Sequence, residues 1–169
     1  LVSELEGLVD VASATPAEPV TLETSSEIVG FDPEIAVIFA EEAAEILESA
    51  ELAFQEFRSD RTAPESLVEL QRFLHTLKGG ARMAGIPAMG DLSHSLEDLL
   101  TGISAAPLEA TDDVVNTVQG SLDRLHQMRD AVAAGQEARG SSELLGLIQT
   151  LSSDVRTEAS AEPIAEAGE

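Results

Sequence analysis

Residues 62–85 read TAPESLVELQRFLHTLKGGARMAG, and their periodicity decides the fold. Leu67, Leu70, Leu74, Leu77, Ala81 and Ala84 recur every three or four residues, the interval that lines up one stripe of a helix. Thr62 with Glu65 three residues on has capping-box spacing, and Gly85-Ile86-Pro87 closes the segment. The same pattern repeats on both sides. A first helix starts at Asp32-Pro33, an N-cap followed by Pro at the first helical position. Its apolar stripe is Ile35, Ile38, Phe39, Ile46, Ala50, Ala53, Phe54 and Phe57. A third helix carries Met89, Leu92, Leu96, Leu99, Leu100 and Ile103. A fourth starts at Thr111, with Asp112 and Asp113 suiting the helix dipole, and has the stripe Val115, Val118, Leu122, Leu125 and Val132. A fifth starts near Ser141 or Ser142 and should bury Leu144, Ile148, Leu151 and Val155. Connections are short, so neighbours should run antiparallel. No stretch alternates at period two for long enough to be a strand. The expected fold is all-α: an antiparallel up-and-down four-helix bundle with an additional C-terminal helix.

Composition agrees. The chain has 169 residues, a length for one domain with tails. Apolar residues make up 43% but aromatics only 3%, so the core is Ala, Leu, Val and Ile, which suits packed helices. Residues 1–30 read as an acidic, Pro-containing linker; Leu1, Leu5 and Leu8 have helical spacing over a short run. Residues 31–156 form the expected folded domain, and 157–169 an acidic Ala/Glu/Pro linker. A folded block between two linkers, starting at Leu1 rather than Met, is what one module of a longer chain would look like.

The formal net charge is −23, from 32 Asp and Glu against nine Lys and Arg. Such a surface repels nucleic-acid phosphates and anionic lipid. There is no Cys, which excludes disulfides, Cys-ligated zinc and thiol catalysis. No apolar run is long enough to span a bilayer. The first basic residue is Arg58, so no signal peptide is visible. Phosphate-loop, nucleophile-elbow and HExxH motifs are all missing.

Chemistry therefore concentrates in the second helix. Relative to its Leu stripe, His75 points about 140° away, Arg82 about 120° away and Gly79 nearly opposite. His75, Lys78, Gly79 and Arg82 thus share one exposed or boundary strip, at i, i+3, i+4 and i+7. Two glycines inside a helix cost about 1 kcal/mol each relative to Ala, so a close approach has to justify them. Bare backbone one turn after an exposed His lets another protein reach that imidazole. Lys78, the chain's one lysine, and Arg82 share that strip with His75, and their complement is an anion such as a phosphoryl group. On the third helix, His94 and Glu97 are surface neighbours, and antiparallel packing would let them face His75 and Lys78. A carboxylate accepting Nδ1–H of an imidazole fixes its tautomer and leaves the Nε2 lone pair outward.

These residues resemble a family. His75-x-x-Lys78-Gly79, with Gly85 beyond, is similar to the signature of histidine phosphotransfer (HPt) domains. His94 and Glu97, at 19 and 22 residues after His75, match the spacing of the His and Glu that support the phospho-accepting histidine in the first domain of CheA-type chemotaxis kinases. Phe39-Ala40-Glu41-Glu42-Ala43-Ala44-Glu45-Ile46-Leu47 also resembles the opening helix of such domains. The resemblance covers about residues 31–156 and departs at Arg82-Met83-Ala84, where small residues are frequent in the family.

The resemblance implies a phosphohistidine carrier in a two-component or chemotaxis-type phosphorelay. His75 would take the phosphoryl group on Nε2, Glu97 would accept the Nδ1 hydrogen bond, Lys78 would support the carboxylate or the phosphate, and His94 would complete the network. Gly79 would leave room for a docking partner. Arg82 reads equally as a docking or phosphate contact and as a solvated side chain. The domain would be no enzyme on its own and hold no cofactor or metal. A kinase catalytic domain with ATP and Mg²⁺ would donate the group, and the Asp of a response-regulator receiver would remove it. The larger protein would be a cytoplasmic kinase of the chemotaxis or type IV pilus kind, with this domain itself monomeric and not inserted in a membrane. Zinc at His75, His94 and Glu97 is the competing chemistry, disfavoured by the adjacent Lys78 ammonium. A helical interaction module with a silent motif is the competing function. His126, beside Arg124 and Gln127, reads as bystander surface, and Met83 and Met89 as core or boundary filler.

Overall fold

The computed structural model describes residues 32–62, 64–105 and 110–160. It contains α1 (Pro33–Ser59), α2 (Pro64–Met83), α3 (Pro87–Ala105), α4 (Asp112–Ala133) and α5 (Ser142–Ser160), with no strand among the described residues. The linker readings of 1–30 and the short helix at Leu1–Leu8 lie outside the described residues. So do residues 161–169 of the 157–169 linker, but its first four residues are helical, because α5 runs on to Ser160. Thr157, Glu158 and Ala159 are compatible with a helix, and the first breaker is Pro163.

Three helix starts form as the sequence indicates. Asp32 accepts hydrogen bonds from the Glu34 and Ile35 amides at 2.9 and 3.5 Å. Thr111 Oγ1 accepts from Val114, and Ser141 Oγ from Leu144, each at 3.3 Å. The capping box at Thr62 does not form. Pro64 takes the first helical position, and the Thr62 hydroxyl donates instead to Asp60 at 2.6 Å. Two helices end in Schellman geometry. At α2, Gly85 has φ 72° while Ile86 N–H donates to Ala81 O at 2.8 Å. At α4, Gly135 has φ 71° and Gln136 N–H donates to Ala131 O at 2.8 Å.

Each helix of the bundle packs on the next, and α1 closes the ring against α4. The α2–α3 pairs Gln71–Ser104, Lys78–Glu97 and Arg82–Asp91 fix an antiparallel register. Across α1 and α4, Arg58 donates to Gln119, and His126 lies 3.8 Å from Glu51. Arg61 ties the α1–α2 turn to the start of α4, through Ala110 O at 2.9 Å and Asp112 at 2.7 Å. The core is Phe54, Phe57, Leu47, Leu70, Leu74, Leu77, Met89, Leu92, Leu96, Leu99, Leu100 and Leu122, all fully buried.

Several readings of individual residues change. On α1 the buried row is Ala36, Phe39, Ala40, Ala43, Leu47, Ala50, Ala53, Phe54 and Phe57. Ile35 and Ile38 lie off that row, and Ile38 is 68% exposed. Met89 is core, but Met83, beside the buried pair Ala81 and Ala84, points outward at 77% exposure. His126 is half-buried against α1 rather than bystander surface. Of the expected α5 stripe only Ile148 is buried; Leu144, Leu151 and Val155 are partly covered. The helix lies outside the four-helix ring, parallel to α3, with Gly140 facing Ala88 at one end and Gly102 facing Val155 at the other.

The two adjacent glycines of α2 differ. A Cβ on Gly79 would meet nothing within 4 Å, whereas one on Gly80 would lie 2.5 Å from the Phe39 ring. Gly80 therefore lets α1 and α2 close over Phe39, and Gly79 has no packing reason within the domain. Gly79→Ala should raise stability by up to about 1 kcal/mol, through helix propensity alone. Gly80→Ala gains the same propensity but forces Phe39 to move, at a cost of roughly 1–3 kcal/mol, so its urea midpoint should fall. Equal midpoints for the two variants would show that the Phe39 contact does not constrain α2.

Candidate functional site

The site is built where α2 and α3 cross near mid-length. His75 stands out from α2 with its side chain 68% exposed. Its Nδ1 lies 2.8 Å from Glu97 Oε1. The other Glu97 oxygen accepts from Lys78 Nζ at 2.6 Å. Lys78 and Glu97 are largely covered, at 16% and 20% exposure. One carboxylate thus holds two side chains from successive turns of α2.

Burial alone would raise the pKa of Glu97. The hydrogen bonds and positive charge of Lys78 and His75 outweigh it, so the carboxyl sits below the ordinary value of 4.5. A charged Glu97 accepts Nδ1–H and fixes the Nε2 lone pair on the solvent side of the ring. The arrangement offers an oriented, exposed nucleophilic nitrogen, with a carboxylate placed to stabilise the imidazolium formed when that nitrogen is substituted.

His94 does not join this group. Three residues before Glu97, it projects about 60° around α3 from it. Its Nδ1 lies 3.8 Å from Asp98 Oδ1, four residues on along α3. The expected contact of His94 with His75 is absent among the described residues, where His75 Nδ1 is taken by Glu97. Arg82 is on the His75 strip, half-exposed, with its guanidinium 3.9 Å from Asp91. Gly79 leaves the helix bare between them.

Gly90 was not singled out from the sequence, yet it is buried on α3 where that helix meets α2. A Cβ there would lie 3.0 Å from Arg82 Cγ and 3.5 Å from Lys78 O. Its position one residue before Asp91 carried no periodic signal. Among the described residues, no group of three or more His, Asp and Glu is arranged to hold a metal ion. No helix among them is long and apolar enough to cross a membrane.

Residues 34–135 match the Hpt domain family model. The chain belongs to the Hpt domain family. It is 32% identical over 96 residues to the chemotaxis protein CheA of Halobacterium salinarum, across 57% of this chain and 14% of the relative. It is 34% identical over 96 residues to CheA of Treponema pallidum, across 57% of this chain and 12% of the relative. A gliding motility regulatory protein of Myxococcus xanthus is 29% identical over 105 residues, across 62% of this chain and 13% of the relative. The chain thus spans only about an eighth of the length of these proteins. Among solved structures, the phosphorylated P1 domain of CheA3 in complex with CheY6 from R. sphaeroides has the same fold, with a TM-score of 0.62 and 23% identity. That match covers 75% of this chain and 98% of the P1 chain. As an Hpt domain it is a phosphotransfer module, a phosphohistidine carrier, and CheA proteins are among its relatives. α5 lies beyond the residues that the family model matches.

The depressed Glu97 pKa has a consequence for stability. A carboxylate held below its unfolded value contributes stability above about pH 4.5, and this is lost as pH falls through the folded value. Wild type should therefore be more stable than Glu97→Gln at neutral pH, with the gap in urea midpoint narrowing as the solution is taken to about pH 3. A gap independent of pH would mean that the Lys78 and His75 contacts do not favour the ionised carboxylate.

Proposed function

We propose that His75 Nε2 is the atom that carries the phosphoryl group in this Hpt domain, with Glu97 and Lys78 as its positioning residues. The observation behind this reading is the exposed imidazole whose Nδ1 is 2.8 Å from a carboxylate that Lys78 also holds. In the loading step the Nε2 lone pair attacks the γ-phosphorus of ATP held by a kinase catalytic domain. The Nε2–P bond forms as the P–O bond to ADP breaks, and Glu97 stabilises the resulting imidazolium. In the unloading step a receiver Asp carboxylate attacks phosphorus, the Nε2–P bond breaks, and the ring returns to neutral. ATP and Mg²⁺ belong to the partner domains. The relatives support these partners: one solved P1 domain is in complex with CheY6, and the matched regulators are chemotaxis or gliding motility proteins.

Within this reading the domain is part of a larger cytoplasmic kinase of the chemotaxis or type IV pilus kind. His94, paired with Asp98, is left outside the transfer step. Gly79 is the gap through which the partner's active site approaches.

His75→Gln should abolish acid-labile, alkali-stable phosphate incorporation from a CheA-type kinase core with ATP while retaining wild-type helicity. Label on a folded His75→Gln variant would move the acceptor elsewhere. Glu97→Ala should slow incorporation roughly tenfold or more, as losses of orienting carboxylates do at other His sites. Wild-type kinetics in that variant would remove Glu97 from the mechanism.

A further inference from the structure

We propose that Arg82 is a phosphoryl-contact residue of this carrier, released from Asp91 to reach the group on His75 across the bare backbone of Gly79. This rests on His75 being the acceptor and adds a residue to that site.

The cations nearest His75 are not equivalent. Lys78 is largely covered and committed to Glu97 at 2.6 Å. It neutralises the carboxylate, leaving little of its charge for an anion outside. Arg82 is 53% exposed, and its guanidinium sits 3.9 Å from a 61% exposed Asp91, at the outer limit of an ion pair. Such a pair is worth little in water, so another anion can replace it.

The direction of the side chain decides where the guanidinium goes. Long helical side chains lean toward the helix N-terminus. In this structure the Arg82 stem rests against α3, its Cγ and Nε 3.0 and 3.6 Å from where a Gly90 Cβ would be. The stem lies against α3 in a space that exists because residue 90 is glycine. The next position along that strip is Gly79, where an added Cβ would meet nothing within 4 Å. Residues 75 and 82 are separated by about 10 Å along the axis. That distance would be shared between a phosphoryl group standing out from Nε2 and an Arg82 side chain that leaves Asp91 and swings toward the N-terminus of α2. Once phosphate carries two negative charges, it offers Arg82 a stronger, shorter and charge-assisted hydrogen bond than Asp91 does.

The test uses phosphoramidate, a small donor that needs no docking protein. Nε2 attacks phosphorus, the donor P–N bond breaks, and ammonia leaves. The rate of labelling and the hydrolysis half-life of phospho-His75 are followed by ³¹P NMR for wild type, Arg82→Gln, Arg82→Lys, Asp91→Asn and Gly90→Ala, with helicity checked by circular dichroism. Arg82→Gln should label roughly three- to tenfold more slowly, the effect of losing one partly screened charged contact. Arg82→Lys should recover part of the rate, because the charge is kept. Asp91→Asn should label faster than wild type, a sign that a merely structural role for the pair does not produce. Gly90→Ala, which displaces the Arg82 stem by a few tenths of an ångström without touching the exposed face of His75, should fall between wild type and Arg82→Gln. Wild-type rates in Arg82→Gln, or slower labelling in Asp91→Asn, would overturn the role of Arg82 and leave His75 as acceptor. No label on folded wild type would overturn the acceptor assignment and this proposal with it.

Discussion

Both oxygens of Glu97 are held by α2, one by the His75 ring and one by the Lys78 ammonium. The site exists only while α2 and α3 keep one register. A shift by one residue rotates each helix face by about 100° and carries the carboxylate away from both partners. The register comes from apolar packing, with Leu70, Leu74 and Leu77 on one side and Leu92, Leu96, Leu99 and Leu100 on the other, all fully buried. The Gly85 turn sets where α3 begins. The polar site lies on the rim of that seam and does not hold it together. Removing the carboxylate is thus expected to change the chemistry more than the fold.

The glycines divide the labour on α2. Gly80 faces inward and lets the Phe39 ring of α1 press against the helix. Gly79, one residue earlier, faces outward, and a Cβ there would meet nothing within 4 Å. On α3, Gly90 lets α2 approach and gives the Arg82 stem a bed. From sequence, the Gly79-Gly80 pair reads as a single exposed feature, because only the neighbouring helix distinguishes them. Gly90 is silent for the same reason: its use depends on which side chain of another helix lies over it.

Helix number, order and most starts were legible because each rests on local chemistry: Asp32, Thr111 and Ser141 cap through their own oxygen atoms, and the Leu rows need no partner to be seen. The pairing of Glu97 with His75 was legible because antiparallel packing lets those turns meet and the 22-residue spacing resembles that of the family. The supporting place read for His94 has no counterpart among the contacts of the described residues, where its ring lies 3.8 Å from Asp98, four residues on along the same helix. Ile35 and Ile38 were misread because bulk stood in for position. The inward row of α1 uses Ala36, Ala40 and Ala43, small residues that let α2 and α4 come close. The α5 stripe was overestimated because a helix outside the ring is covered on fewer sides.

The placing of the nine cations in so acidic a chain sharpens the functional argument. Arg58 lies 5.8 Å over the Phe54 ring and donates to Gln119, while Arg61 clamps the start of α4. Arg124 donates to Gln127 and Arg139 O, and Arg129 pairs with Asp130. These serve the fold. Lys78 serves Glu97. On the helix that carries His75, that leaves Arg72, without an ion pair among the described residues, and Arg82, weakly held by Asp91. One precedes the imidazole by a turn and the other follows it by two. Elsewhere the surface charge is overwhelmingly negative and repels an approaching phosphate. Around His75 it is locally relieved, and the relief comes from side chains that packing leaves uncommitted. A structural helix gains nothing from keeping arginines free while acidic residues outnumber basic ones more than threefold. A helix that must receive and surrender a doubly charged group gains from cations that bind it only when it is there.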